Sequence, residues 1–175
     1  RNAAGLTAVH DIARVFAARL GKTHEDLHKQ IPPMEHPVVT VVKILWSDEV
    51  IADRNEMLEY ALKNDPLPFH IDEVAAENSV SGGLVASGGY TITLWYSAAV
   101  SIHSTTALLA GSEFSIKLPN PLRPGDIVKT RYEIEESRKT SKPGRGYVSS
   151  KQHLLNQSDE PVLICNAHRI VAMRD

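Results

Sequence analysis

Residues 87–102 read SGGYTITLWYSAAVSI, and the conformation of this stretch decides the architecture of the chain. Ile92, Trp95, Ala99 and Ile102 recur at i, i+3, i+7 and i+10, the spacing of one helix face. Ser87 is a residue type that caps helix N-termini, and Gly88 and Gly89 follow it directly. The segment is apolar over most of its length, so it predicts a helix at the centre of the molecule rather than on its surface.

Downstream, the turn Pro124-Gly125-Asp126 opens a run of different character. DIVKTRYEIEE, GYVSSKQHLLN and PVLICNAHRIVAMR are three long segments with partial period-two alternation, the mark of half-buried strands. A basic loop (Arg138 to Arg145) and a polar loop (Asn156 to Glu160) separate them, and a shorter strand is expected in SEFSIKL, Ser112 to Leu118. Upstream, VVTVVKILW (Val38 to Trp46) is β-branched and reads as a strand. A helix is expected from a capping box at Asp53 and Glu56 to Asn64, with Met57, Tyr60 and Ala61 on its apolar face. A first amphipathic helix is expected where Leu6, Val9, Ile12, Phe16 and Leu20 recur, with Gly21 as its stop. Helices followed by antiparallel strands make the fold class α+β, one sheet packed on an apolar helix. Residues 1–37 form a helical extension and linker, and residues 38–175 the main domain.

A chain of 175 residues accommodates one domain with a real core. Lys and Arg number 19 against 21 Asp and Glu, a net charge of -2, which gives no sign of a nucleic acid or membrane-surface partner. Cys165 is the single cysteine; an intrachain disulfide is impossible, and its apolar setting (Val162 to Cys165) suits a buried thiol in a reducing, cytoplasmic compartment. No apolar run approaches the roughly 20 residues of a membrane span. The first residue is Arg1 rather than Met, as in a chain whose start is trimmed, processed or disordered.

The chemistry-bearing candidates are few. NDPLPFHID (Asn64 to Asp72) sets two prolines, an Asp and a His within six residues. Pro66 and Pro68 end the preceding helix and hold a stiff extended turn, on which Asp65 and His70 stand within reach of one water. The alternative is structural, Asp65 capping a turn and His70 meeting a backbone carbonyl. Gly88 and Gly89 open the apolar helix, where unpaired amides and the helix dipole can hold an oxyanion, or where glycine simply permits close packing. In SRKTSKPGRG, Arg138, Lys139, Lys142 and Arg145 can meet phosphate groups or stand as a solvated hairpin tip. The eight His residues lack zinc spacing, and no metal is expected.

The order DPLPFHID, GGLVASGGYT, PLRPGD and SKPGRGYV resembles the MaoC-like dehydratases, the (R)-specific enoyl-CoA hydratase branch of the hotdog-fold superfamily, from about Val38 to Arg174. The resemblance implies an antiparallel sheet wrapped around a long central helix. It gives Asp65 and His70 the places of the family's water-activating Asp and His, with Leu67 where the family pattern has an Asn that orients the catalytic groups. It makes Gly88 the amide that binds the thioester oxygen, with Ser87 and Gly89 beside it, and Tyr96 or Ser97 as an assisting polar residue along the helix.

The activity so implied is reversible hydration of a trans-2-enoyl-CoA, with no cofactor beyond the coenzyme A of the substrate. The resemblance places coenzyme A along a subunit boundary, where Lys142 and Arg145 would meet it. A hotdog thioesterase and a non-catalytic acyl-CoA-binding subunit are the alternatives. A single hotdog unit leaves a sheet edge exposed, so a homodimer or higher homo-oligomer is expected.

Overall fold

Six strands and four helices are formed in the computed structural model, which describes residues 43–103 and 108–173. Strands β1 (Lys43–Trp46) and β2 (Val50–Ile51) precede three short helices, α1 (Arg54–Asn64), α2 (Pro68–Ile71) and α3 (Glu73–Glu77). The central helix α4 (Gly88–His103) leads to β3 (Leu108–Lys117), β4 (Ile127–Lys139), β5 (Arg145–Leu155) and β6 (Pro161–Ala172). The expected helix over residues 6–20 and the first part of the Val38 strand lie outside the described residues. No helix among the described residues is long and apolar enough to cross a membrane.

The sheet order is β1-β4-β5-β6-β3, with β2 also pairing with β4, and every pairing is antiparallel. Because strand side chains alternate between faces, Val128, Thr130 and Tyr132 of β4, Ser150, Gln152 and Leu154 of β5, and Cys165, Ala167 and Arg169 of β6 form the inner surface, all buried. Helix α4 lies on it. Tyr90, Leu94, Trp95, Ala98, Ala99 and Ile102 of α4 are all buried, and Trp95 reaches across to donate its indole N–H to Gln152 Oε1 at 3.2 Å. Burying a side chain of this size stabilises the fold by roughly 2–3 kcal/mol, so α4 and the sheet form one core. This is the hotdog arrangement, α+β, in which an antiparallel sheet wraps a central helix.

Strand β2 and helix α3 have no counterpart among the expectations, and two further elements differ from them. Strand β3 is longer than Ser112 to Leu118 and begins at Leu108; register shifts around Ala110 and Gly111 break its alternation, which hides its first half from a period-two reading. The Pro-rich turn holds a helical turn, α2, with Pro68 as its first residue. Proline fits that position because its missing N–H would be unpaired there in any case.

Candidate functional site

Asp65 and His70 owe their placement to the two prolines. The residue before a proline is pushed out of the helical region, and Asp65 adopts φ -155°, ψ 67°, which ends α1. Leu67, before Pro68, takes φ -73°, ψ 141°. The chain then re-enters a helix for four residues, and that turn brings His70 back over Asp65. His70 Nε2 and Asp65 Oδ2 are 3.6 Å apart, the His side chain 9% and the Asp side chain 39% exposed.

The other ring nitrogen fixes the tautomer. Nδ1 of His70 lies 2.8 Å from the carbonyl oxygen of Val85, an atom that can only accept, so Nδ1 carries the proton and Nε2 of the neutral ring presents a lone pair. With the ring neutral, Nε2 and the carboxylate are both acceptors, and neither donates to the other. A water between them would donate one hydrogen to each, leaving its own lone pairs free. The structural reading of His70, a bond to a backbone carbonyl, thus uses one ring nitrogen and leaves the other toward Asp65.

Val85 belongs to the segment that delivers the start of α4, so the same bond ties the Asp–His turn to that helix. The segment is held on three sides. Gly82, at φ 59°, makes the turn that feeds it, Ala86 N–H donates to Leu122 O at 2.8 Å, and Arg123 Nη2 donates to Ser81 O at 2.7 Å. Asp126 in turn accepts the Arg123 N–H at 2.7 Å and Gln157 Nε2 at 2.9 Å. The stretch PLRPGD is thus a brace for the segment before α4; its turn and its place in the family pattern are legible in the sequence, its bonds to Ser81 and Ala86 are not.

At the helix start, Ser87 is fully buried and its hydroxyl accepts the Tyr90 N–H at 3.2 Å, while its carbonyl accepts the Thr91 N–H at 3.0 Å. The hydroxyl oxygen therefore serves as the N-cap acceptor. The amides of Gly88 and Gly89, in the first turn, have no acceptor among the described residues, as helix geometry requires. The two glycines differ in what surrounds them. A Cβ on Gly89 would stand 2.5 Å from Tyr60 Oη, so Gly89 is needed for packing, whereas one on Gly88 would meet only Leu118 Cδ1, at 3.1 Å.

Tyr96 and the basic hairpin are not gathered at this point. Tyr96 is eight residues along α4, about 12 Å from Gly88, with its ring 6.2 Å from that of Phe114; burial raises its hydroxyl pKa, and the Arg169 charge partly offsets the effect. Lys142 and Arg145 line a cavity of about 230 Å³ with Lys139, Thr140, Gly144 and Met173 at the β4–β5 turn. That turn is at the other end of the sheet. Gly88 lies beside Leu118, next to Lys117, which pairs with Ile164, whereas Arg145 pairs with Ala172, a separation along β6 of about 26 Å.

Comparison with known proteins bears on the fold and the family. Among solved structures the chain is similar to a MaoC-like dehydratase from Rhodospirillum rubrum, with 29% identity, a TM-score of 0.71, and coverage of 78% of this chain and 95% of that one. It shares its fold with the (R)-hydratase PhaJ1 from Pseudomonas aeruginosa (19% identity, TM-score 0.59, coverage 78% and 84%). The same holds for the (R)-hydratase from A. caviae involved in PHA biosynthesis (16% identity, TM-score 0.60, coverage 78% and 98%). A search of curated proteins finds no match. The family described as MaoC like domain matches residues 30–154, more than two thirds of the sequence, and the chain belongs to that family.

Proposed function

We propose that this protein catalyses the reversible hydration of a trans-2-enoyl thioester of coenzyme A to the 3-hydroxyacyl thioester. The carrying observation is the pair of acceptors, Asp65 Oδ2 and His70 Nε2, set 3.6 Å apart beside a helix start with open amides. Water held between them gives a proton to Asp65 while His70 fixes its orientation and shares the proton traffic. The water oxygen bonds to C3, the C2=C3 electrons move toward the thioester carbonyl, and the charge on its oxygen falls on the Gly88 amide, helped by the helix dipole. The proton taken from water then passes to C2. Oxygen and proton arrive from the same side, so the addition is syn. The reverse sequence expels water.

Incubation with a panel of trans-2-enoyl-CoAs, following enoyl absorbance and free thiol together, tests the reading. Loss of absorbance without thiol, abolished by Asp65→Asn, supports it. Thiol release would identify a thioesterase, and binding without turnover across the panel a non-catalytic acyl-CoA-binding subunit.

The active form is proposed to be a homodimer paired through β3. This edge strand is ten residues long and exposed along nearly all of its length, with Leu108, Leu109 and Phe114 among its exposed residues, a surface that proteins normally cover. Pairing with a second copy across a two-fold axis is antiparallel. It sets the Lys142 end of one protomer toward the Gly88 end of the other, which gives Lys142 and Arg145 the phosphate groups of coenzyme A as partners. A strictly monomeric species in light scattering would refute this arrangement.

A further inference from the structure

Among the described residues, Arg169 is buried without a counter-ion. It occupies an inward position of β6, under α4, and is 3% exposed. Its Nη1 donates to Tyr132 Oη at 2.8 Å and to Ser150 Oγ at 3.3 Å, and the rings of Phe114 and Tyr132 each lie 5.5 Å from the guanidinium carbon. Nη2 is buried with no hydrogen-bond partner, and no carboxylate among the described residues pairs with the side chain. The anchoring side is fixed further back, because Ser150 Oγ also accepts Gln152 Nε2 at 3.1 Å and Gln152 Oε1 accepts the Trp95 indole. One arm of the guanidinium is thus held rigidly and the other is left open.

A lysine in this place could shed its proton; an arginine cannot, so the charge persists in the interior. Such a charge without an anion is unfavourable, and an apolar side chain of similar volume would fill the position at lower free-energy cost. The planar fork matches a carboxylate in two-point contact. We propose that Arg169 binds a carboxylate at the far end of the acyl group, so that the substrate is a thioester carrying a second, anionic acid function. The proposal rests on the thioester reading given above.

The position suits this role. Arg169 acts at the level of Trp95 and Tyr96, about 12 Å along α4 from Gly88, so the acid group lies several bonds beyond the reacting carbons. Tyr96 and Phe114 flank it and are 38% and 40% exposed. The Phe114 ring lies 5.5 Å from the guanidinium carbon and 6.2 Å from the Tyr96 ring, and a turn of these two half-exposed rings, which leaves the backbone pairing of β3 in the dimer untouched, would open the path to Nη2.

The test uses calorimetric binding of saturated CoA thioesters, which cannot be hydrated and so report binding apart from turnover. Hexanoyl-CoA is compared with adipyl-CoA, octanoyl-CoA with suberyl-CoA, and decanoyl-CoA with sebacyl-CoA. The expected result is that the carboxylate-ended member of at least one pair binds about tenfold or more tightly than its methyl-ended match. Arg169→Met should abolish that preference while keeping the methyl-ended affinity, and Arg169→Lys should restore part of it. Equal or weaker binding of the carboxylate-ended member at every length, or a preference that survives in Arg169→Met, overturns the assignment. If Arg169→Met fails to fold, the wild-type comparison decides alone. Absence of binding by every thioester would overturn the thioester reading with it, whereas hydration of methyl-ended enoyl-CoAs without a carboxylate preference would overturn only the role of Arg169.

Discussion

Val85 and His70, fifteen residues apart, are joined by a 2.8 Å hydrogen bond from the imidazole Nδ1 to the carbonyl oxygen. This contact does two jobs, orienting the ring toward Asp65 and locking the Asp–His turn to the segment that starts α4. Removing the ring leaves a buried carbonyl unpaired. His70→Ala is therefore expected to lose activity and about 1–3 kcal/mol of stability, read as a lower midpoint in urea unfolding.

Asp65→Asn should separate those effects. The side chain is 39% exposed, and its backbone, not its carboxylate, caps α1. The variant is expected to unfold at the wild-type midpoint and to lose about 10²–10⁴-fold in turnover, because only the base is removed. Full activity in this variant would refute the assignment.

Gly89→Ala tests the packing role of the second glycine. The new methyl meets Tyr60 Oη at 2.5 Å, and Tyr60 is itself packed edge-on against Tyr90 at 5.9 Å. Overpacking of this kind destabilises by about 1–3 kcal/mol. Adding Tyr60→Phe removes the closest atom, and the double variant should recover part of the loss in thermal unfolding.

Leu67 holds the N-cap position of α2 without a capping side chain and is 45% exposed. Leu67→Asn supplies an acceptor for the first-turn amides and gives up little burial. The expected gain is up to about 1 kcal/mol, visible as a higher melting temperature.

Cys165 is fully buried, and desolvation pushes its thiol up to about 11 from an ordinary 9.0. The folded protein holds this proton more tightly than the unfolded chain, so stability falls as pH rises from about 9 to 11, by roughly 2–3 kcal/mol from this group. Urea midpoints across that interval should fall less steeply in Cys165→Ala than in the wild type.

Local signals carried much of this protein. Periodicity gave the apolar helix from Gly88, alternation gave β4, β5 and β6, and the prolines gave the end of α1 and the stiffness of the loop holding Asp65 and His70. These features depend on backbone sterics and on burial of a single face, which neighbouring residues determine among themselves. Short elements were less legible: α2 and α3 are four and five residues long, too short for a helical period to appear.

What only the tertiary structure decided is which distant groups meet. The sequence could not tell Gly89, where a Cβ would strike the Tyr60 ring, from Gly88, where it would meet only Leu118, because the difference is the position of the Tyr60 ring. It could not set Lys142 and Arg145 at the opposite end of the sheet from Gly88, because that follows from strand order. Nor could it show that Arg169 meets Tyr132 and Ser150, rather than a carboxylate among the described residues, since those contacts cross between strands. Each of these depends on long-range packing, where the energy of a side chain is set by atoms remote in the chain.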